Sequence, residues 1–255
     1  MMTLPVHRII PFSNVEGIGN RTSIFVQGCN ANCLYCHNSE TIPMTAEGVS
    51  QYTVEGLLEV IKSSMPFIRG ITVSGGEATL YHGFLTDLFQ EVHKLGLTCY
   101  VDTNGFYNAE IINDLIDVTD KFLYDVKGIG QGLEKLCFSE ALLANDHRAK
   151  DYKQRFVRSS EHVRNLEHLL KLDKIEEVRL VYVKSMYDEE AVVDQIAKVL
   201  KNYPQVPLKL IKMHARGLPK ERLRLLKGNI PKAEDYEHIY TYAKQSGIQK
   251  IIEIQ

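Results

Sequence analysis

The chain has 255 residues, 44% of them apolar and 24% charged, and a formal net charge of −2. That is the composition of a globular domain with a sizeable core, which excludes a disordered chain, a disulfide scaffold, a basic nucleic-acid footprint and a polybasic membrane patch. No apolar run approaches the ~18 residues of a membrane span, and the N-terminus lacks a charged head before a long apolar stretch, so a cytoplasmic protein without a secretion signal is expected. In chain order, residues 22–27 (TSIFVQ) are β-rich and stop at Gly28. Val54, Leu57, Leu58 and Ile61 recur at helical spacing over 54–64. A short strand at 71–73 closes on Ser74-Gly75-Gly76, and a helix over 80–95 stops at Gly96. A strand at 97–101 runs into the turn Asp102-Thr103-Asn104-Gly105. Helices are then expected at 110–118, 162–172, 189–202 and 233–246, and strands at 121–126, 178–183, 208–212 and 248–254.

Strand and helix alternate at least six times with short connections, which predicts a parallel sheet with right-handed crossovers. Six βα units in this length suit an open, partial (β/α)6 barrel of the TIM type in one domain, 1–255; a doubly wound sheet is the competing arrangement. One connection is anomalous. Residues 128–160 form a charged stretch too long for an ordinary loop in a compact domain, and lids or binding elements often take this form.

Polar residues gather where the strands end. Cys29 follows the first strand, and Ser74, Gly75, Gly76 and Glu77 follow the second. Asp102, Thr103 and Asn104 follow the third, while Asp125 and Lys127 close the fourth. Arg179 lies in the fifth and His214 follows the sixth. In a parallel βα barrel these ends form one face, and that face carries the active site.

Three of the five cysteines, Cys29, Cys33 and Cys36, fall within eight positions in a C-x3-C-x2-C spacing. A secreted disulfide framework spreads an even number along the chain, so the cluster points to metal or redox chemistry in a reducing compartment. Structural zinc takes four ligands, and His37 directly after Cys36 is an awkward fourth. Three thiolates on a 4Fe–4S centre leave one iron with an open position. Zinc and unligated thiols remain the alternatives. Cys99 and Cys137 read as a buried apolar thiol and an incidental one.

With Tyr35 before the third cysteine, the motif resembles the radical S-adenosylmethionine superfamily. The stretch Gly17 to Asn38 reads G-x-G-x-R and then F-x-Q-G-C-x3-C-x-Y-C-H-N. It resembles the signature of glycyl-radical-enzyme activating enzymes, which include the activase of pyruvate formate-lyase and a related activase of uncharacterised glycyl radical enzymes. The likeness continues through Ser74–Glu77, Asp102–Gly105, Tyr124–Lys127, Val178–Val183 and His214.

The resemblance implies a partial barrel with one 4Fe–4S cluster on Cys29, Cys33 and Cys36. S-adenosylmethionine would chelate the fourth iron and, after reductive cleavage, give a 5′-deoxyadenosyl radical. That radical takes a Cα hydrogen from a glycine of a partner glycyl radical enzyme. It implies cofactor contacts from Tyr35, His37, Asn38, Ser74, Gly75, Gly76, Glu77, Asp125, Val126, Lys127, Arg179 and His214. Gly75 and Gly76, lacking Cβ, would let backbone approach the methionine moiety, and Glu77 would steady its ammonium. Asp102, Thr103 and Asp125 match a monovalent-cation site. Flavodoxin or ferredoxin is the expected electron donor, and a monomer without nucleic-acid or membrane partners is expected.

The sequence departs from the family pattern where Glu16-Gly17-Ile18-Gly19 replaces Asp-Gly-Pro-Gly, and it lacks the cysteines of a ferredoxin-like insert. The 128–160 connection, following a strand C-terminus, is expected to dock or gate the partner's glycine loop, with a solvated elaboration as the alternative. Two rival functions stand beside the activase: a radical enzyme acting on a small molecule with the same barrel and cluster, and a zinc-dependent binding module.

Overall fold

The computed structural model of the protein describes residues 2–139, 142 and 161–255. Among these residues nine strands form one sheet in the order β3-β1-β2-β4-β5-β6-β7-β8-β9. The strands are β1 (Leu4–Ser13), β2 (Arg21–Val26), β3 (Ser50–Tyr52), β4 (Gly70–Gly75), β5 (Thr98–Thr103), β6 (Lys121–Asp125), β7 (Ile175–Tyr182), β8 (Leu208–Lys212) and β9 (Ile251–Ile254). From β2 to β9 every neighbouring pair is parallel, while β1 pairs antiparallel with both β2 and β3.

Each parallel strand lies beside its predecessor, always on the same side. Right-handed crossovers then carry every connecting helix to one face, and the twisted sheet curls around the other. A doubly wound sheet reverses its order at a switch point, and none occurs here. The end strands β3 and β9 stay unpaired with each other, so the barrel is open.

Among the described residues the helices are α1 (Val54–Ser64), α2 (His82–Lys94), α3 (Asn113–Val118), α4 (Gly130–Cys137), α5 (His162–Lys171), α6 (Glu189–Leu200), α7 (Lys220–Leu225) and α8 (Ala233–Gln245). Local chemistry sets their limits. Thr53 caps α1 by accepting the Gly56 N–H, and Asp188 caps α6 by accepting that of Ala191. In α2, Phe84, Leu85, Leu88, Phe89 and Val92 recur at helical spacing and are all buried against the sheet. Each contributes roughly 1.5–3 kcal/mol by leaving water. The helix expected over 80–95 begins instead with a 3-10 turn, Ala78–Tyr81, because the Glu77 carboxylate caps it at the Thr79 N–H.

Three elements lie outside the sequence reading. β1 and β3 extend the sheet at its antiparallel edge, where Pro5 and Pro11 mask the strand signal. α7 is only six residues long. α4 opens the long connection; the docking or gating role expected of 128–160 falls, from residue 140 on, outside the described residues apart from Leu142.

The strand N-termini are closed by Arg21, 1% exposed. Its guanidinium bonds Thr72 Oγ1, Thr98 Oγ1 and the Ile71 carbonyl and stacks 3.6 Å from the Tyr100 ring centroid. Gly17 makes room for that stack: at φ +103° it turns back over the ring, and a Cβ there would sit 2.7 Å from Tyr100. The G-x-G-x-R stretch therefore plugs the end of the barrel opposite the cysteines.

Candidate active site

The cysteine loop follows β2 and is tied down at both ends. Gly28 N–H donates to the Thr41 carbonyl at 2.7 Å and Cys29 N–H to that of Ile42 at 3.1 Å. Asn32 and Leu34 donate to the carbonyls of Cys137 and Leu136, at 2.9 and 2.8 Å. Those acceptors are the orphan carbonyls of the last turn of α4, so the helix end and the loop satisfy each other. Arg222 of α7 completes the strap, donating to the Cys33 carbonyl and, at 2.6 Å, to Asn32 Oδ1.

Cys29, Cys33 and Cys36 all face one cavity of about 220 Å³. Burial pushes the Cys29 thiol well up and the Cys36 thiol to about 11. Cys33 is held below its ordinary range by a hydrogen bond with Cys137 and by the nearby Lys127 and Arg222 cations, against the effect of burial. Two donors reach Cys29 Sγ: the Ala31 N–H at 3.4 Å and Asn104 Nδ2 at 3.8 Å.

The spacing of these thiols separates the metal readings. Donors around one tetrahedral zinc sit about 4 Å apart. Among the described residues the one trio of His, Cys, Asp or Glu donor atoms mutually within 4.8 Å is His93, Cys99 and Asp120, at the far end of β5. No such trio comes from Cys29, Cys33, Cys36 and His37. A cluster that places each thiolate on a different iron fits the wider arrangement.

The cavity also gathers Tyr35, His37 and Asn38 from the loop, Ser74, Gly75, Gly76 and Glu77 from the end of β4, and Asp102, Thr103, Asp125 and Lys127 from β5 and β6. Arg179 stands just behind it. Asp102 Oδ2 accepts from Ser74 Oγ at 2.9 Å and from Arg179 Nη1 at 3.0 Å. Arg179 Nε in turn donates to Glu177, which Lys209 also reaches at 3.0 Å. Beside them Lys127 Nζ lies 2.6 Å from Asp125 Oδ2. Burial opposes the Lys127 ammonium, but Asp125 and Tyr35 outweigh it and hold the lysine above its ordinary range. Asp102 is pushed up to about 6 by burial, against the pull of Arg179. His214 reaches the rim through His37, their rings 4.5 Å apart.

Three of the expected residues have surroundings of their own in the fold. Val126 does not face the cavity; its side chain lies in the main core, and its N–H donates to the Arg179 carbonyl at 2.8 Å. Gly75 and Gly76 are demanded by the chain itself, because a Cβ on Gly75 would sit 2.4 Å from Val26 N and one on Gly76 1.9 Å from the Gly28 carbonyl oxygen. Glu77 accepts from Thr79 N, Thr79 Oγ1, Thr103 Oγ1 and Asn104 N, at 2.6 to 3.1 Å. Its carboxylate therefore clamps the β4 and β5 ends together, and the Thr103 hydroxyl is committed to it.

Arg222 is a site residue that the sequence did not single out, and Asn104, marked there only by its place at a strand end, gains a contact with Cys29. Asn104 reads as part of a turn, and α7 lies almost two hundred positions from the loop that Arg222 straps. A second cavity of about 350 Å³ shares Cys29 as a wall and is lined by Met44, Leu80, Phe106 and Ile111. Cys29 thus separates a polar cavity from an apolar one.

A sequence profile described as a 4Fe-4S single cluster domain matches residues 15–131. A protein of Haemophilus influenzae, carrying the provisional name glycyl-radical enzyme activating enzyme, is 47% identical over 98% of this chain and 97% of its own. The pyruvate formate-lyase 1-activating enzyme of Escherichia coli K12 is 37% identical over 128 residues, 48% of this chain and 51% of that one. Among solved structures, QueE from Escherichia coli superposes over 99% of this chain and 94% of its own with a TM-score of 0.53 at 14% identity, a likeness of fold.

Proposed function

The chain belongs to the glycyl-radical enzyme activating enzymes of the radical S-adenosylmethionine superfamily, and from that membership we propose that Cys29, Cys33 and Cys36 hold its 4Fe–4S cluster and that the adjoining polar cavity holds S-adenosylmethionine. The observation that carries the reading is the convergence of three thiols, spaced too widely for one ion, on a cavity that also holds Gly75, Gly76, Asp125 and Lys127. Bound there, cluster and cofactor together supply one-electron cleavage of a sulfonium C–S bond and a carbon-centred radical able to take a glycine Cα hydrogen.

The chain's own groups bind and orient. Ala31 and Asn104 donate to Cys29 Sγ and favour its thiolate. Lys127 brings positive charge to the thiol side of the cavity, where it offsets anionic ligands. Glu77, fully engaged with Thr79, Thr103 and Asn104, holds the β4 and β5 ends at the distance that shapes the cavity. Tyr35, His37 and Asn38 wall the loop side, and His37 stacks on His214 to close the rim. The carboxylates of Asp102 and Asp125 already pair with Arg179 and Lys127. A monovalent cation at Asp102, Thr103 and Asp125 therefore shares them, and it is tested by whether cofactor affinity depends on sodium or potassium.

The protein substrate in this proposal is a glycyl radical enzyme, and the electron donor a flavodoxin or ferredoxin. The test is anaerobic reconstitution with iron and sulfide, then incubation with S-adenosylmethionine, a reductant and candidate glycyl radical enzymes. Roughly four irons per chain and a glycyl doublet in the electron paramagnetic resonance spectrum are expected. Cofactor cleavage coupled to a small molecule, with no radical on any protein partner, would overturn the activase reading. Stoichiometric zinc in protein purified without oxygen would overturn the cluster.

A further inference from the structure

The Asn104 side chain lies between the end of β5 and the cysteine loop, and the backbone fixes which way it faces. Its Oδ1 accepts the Phe106 N–H at 2.9 Å, the turn that asparagine makes with the residue two positions on. The amide nitrogen therefore faces the loop, where it donates to Asn30 Oδ1 at 2.8 Å and to Cys29 Sγ at 3.8 Å. Asn30 is oriented in the same way, because its own Nδ2 donates to the Phe106 carbonyl at 2.7 Å. Its oxygen is left to accept from Asn104, and reversing either amide would set like groups against each other. The Asn104 main chain is tied as well, its N–H donating to Glu77 Oε2 at 2.8 Å. Asn104 and Cys29 are both buried, at 5% and 8% exposure. The Ala31 N–H, 3.4 Å from the same sulfur, is a second donor.

We propose that Asn104 is a positioning residue for electron entry: acting through Cys29, it raises the reduction potential of the cluster bound there. This rests on the reading of Cys29 as a cluster ligand and deepens it. One electron from the donor protein adds one negative charge, part of which falls on the thiolate sulfurs. An N–H aimed at one of them stabilises the reduced state more than the oxidised one, and hydrogen bonds to sulfur are among the settings of such potentials. The effect grows where water is kept away, as on the Cys29 side, whose neighbour is the apolar cavity of Met44, Leu80, Phe106 and Ile111. Because the amide is already held by Phe106 and Asn30, its donor is aimed before the charge arrives and costs no reorganisation. A higher potential brings the centre within reach of the donor protein and takes the same amount from the drive for sulfonium cleavage.

The test compares reconstituted parent, Asn104→Ser and Asn104→Leu, with iron counted first. The serine hydroxyl still accepts the Phe106 N–H and keeps the turn, but is too short to reach Cys29. Leucine has the shape of asparagine and loses both bonds. Each protein is poised with dithionite and mediators, without S-adenosylmethionine, at the potential where half of the parent cluster is reduced. The reduced fraction is read by electron paramagnetic resonance. The ratio of reduced to oxidised cluster is expected to fall at least about threefold in both variants, the factor of a hydrogen bond at the weak end of its range. If Asn104→Leu takes up no iron, Asn104→Ser decides alone. A role confined to the turn would lower the ratio in Asn104→Leu and leave Asn104→Ser at the parental value; that result overturns the proposal, as does a parental ratio in both variants at full iron content. A parent that takes up no iron overturns the cluster reading, and this proposal with it.

Discussion

Arg21 sits in the stretch that resembles the activase signature, and the fold assigns it to the wrong end of the sheet for cofactor chemistry. It opens β2 beside Gly70, whose other neighbour is Thr98 of β5. The strand between Arg21 and Val26 puts about 17 Å between this end and the cysteine end. Arg21→Lys keeps the charge, but an ammonium cannot reproduce the planar fork that reaches Thr72, Thr98 and Ile71 together. At least two of those bonds are lost and the stack on Tyr100 is weakened. Hydrogen bonds from a charged donor contribute about 1.5–3 kcal/mol each, and the ammonium recovers part, so we expect a loss of about 3 kcal/mol. For a chain of this size that lowers Tm by roughly 6–12 °C. The assay is anaerobic urea unfolding of reconstituted protein, followed by circular dichroism, with iron content and cofactor affinity measured on the folded form. The midpoint should fall while iron and cofactor binding stay at parental values. Parental stability with diminished iron or cofactor binding would refute the assignment of Arg21 to the fold.

Arg222→Gln removes the cationic strap on Cys33 and Asn32; loss of iron to a chelator should be several-fold faster than in the parent, read from the decay of cluster absorbance, with α7 still folded by circular dichroism. Glu77→Gln places an amide N–H against a backbone or hydroxyl donor in a buried clamp, and urea unfolding should show a loss of about 1–3 kcal/mol. Asp102 is pushed up to about 6 in the fold, above its unfolded value. The native state thus binds more protons between pH 4 and 6, and the stability this contributes, complete below pH 4, is lost as pH rises through 6. Asp102→Asn should remove that downward slope in unfolding free energy measured across pH 4.5 to 6.5. An unchanged slope would place the titration elsewhere.

Much of the site was legible in the sequence because its residues lie at strand ends, and strand ends are marked by local patterns. Apolar runs that stop at Cys29, Ser74, Asp102 and Asp125 foretell one face once the strands are parallel, and all four line one cavity. The physical roles were less legible. Gly75 and Gly76 read as room for a cofactor, and the structure adds that each also makes room for the chain at Val26 and Gly28. Glu77 read as a partner for an ammonium, and its four donors come from the chain. Val126 lies one position from two cavity residues and faces the opposite way, as alternation along an extended chain requires.

Local sequence by itself determined most of the alternating strands and helices, the parallel sheet they build, and the three thiols that share a loop. Those follow from hydrophobic period, turn residues and spacing, which act within a few positions. Only the tertiary structure decided that Arg222 straps the cysteine loop, that Asn104 reaches Cys29, that the end of α4 bonds the loop backbone, and that the signature arginine plugs the far end. Each depends on chain segments brought together by packing, and the geometry of a bond between distant positions is written in no single stretch of either.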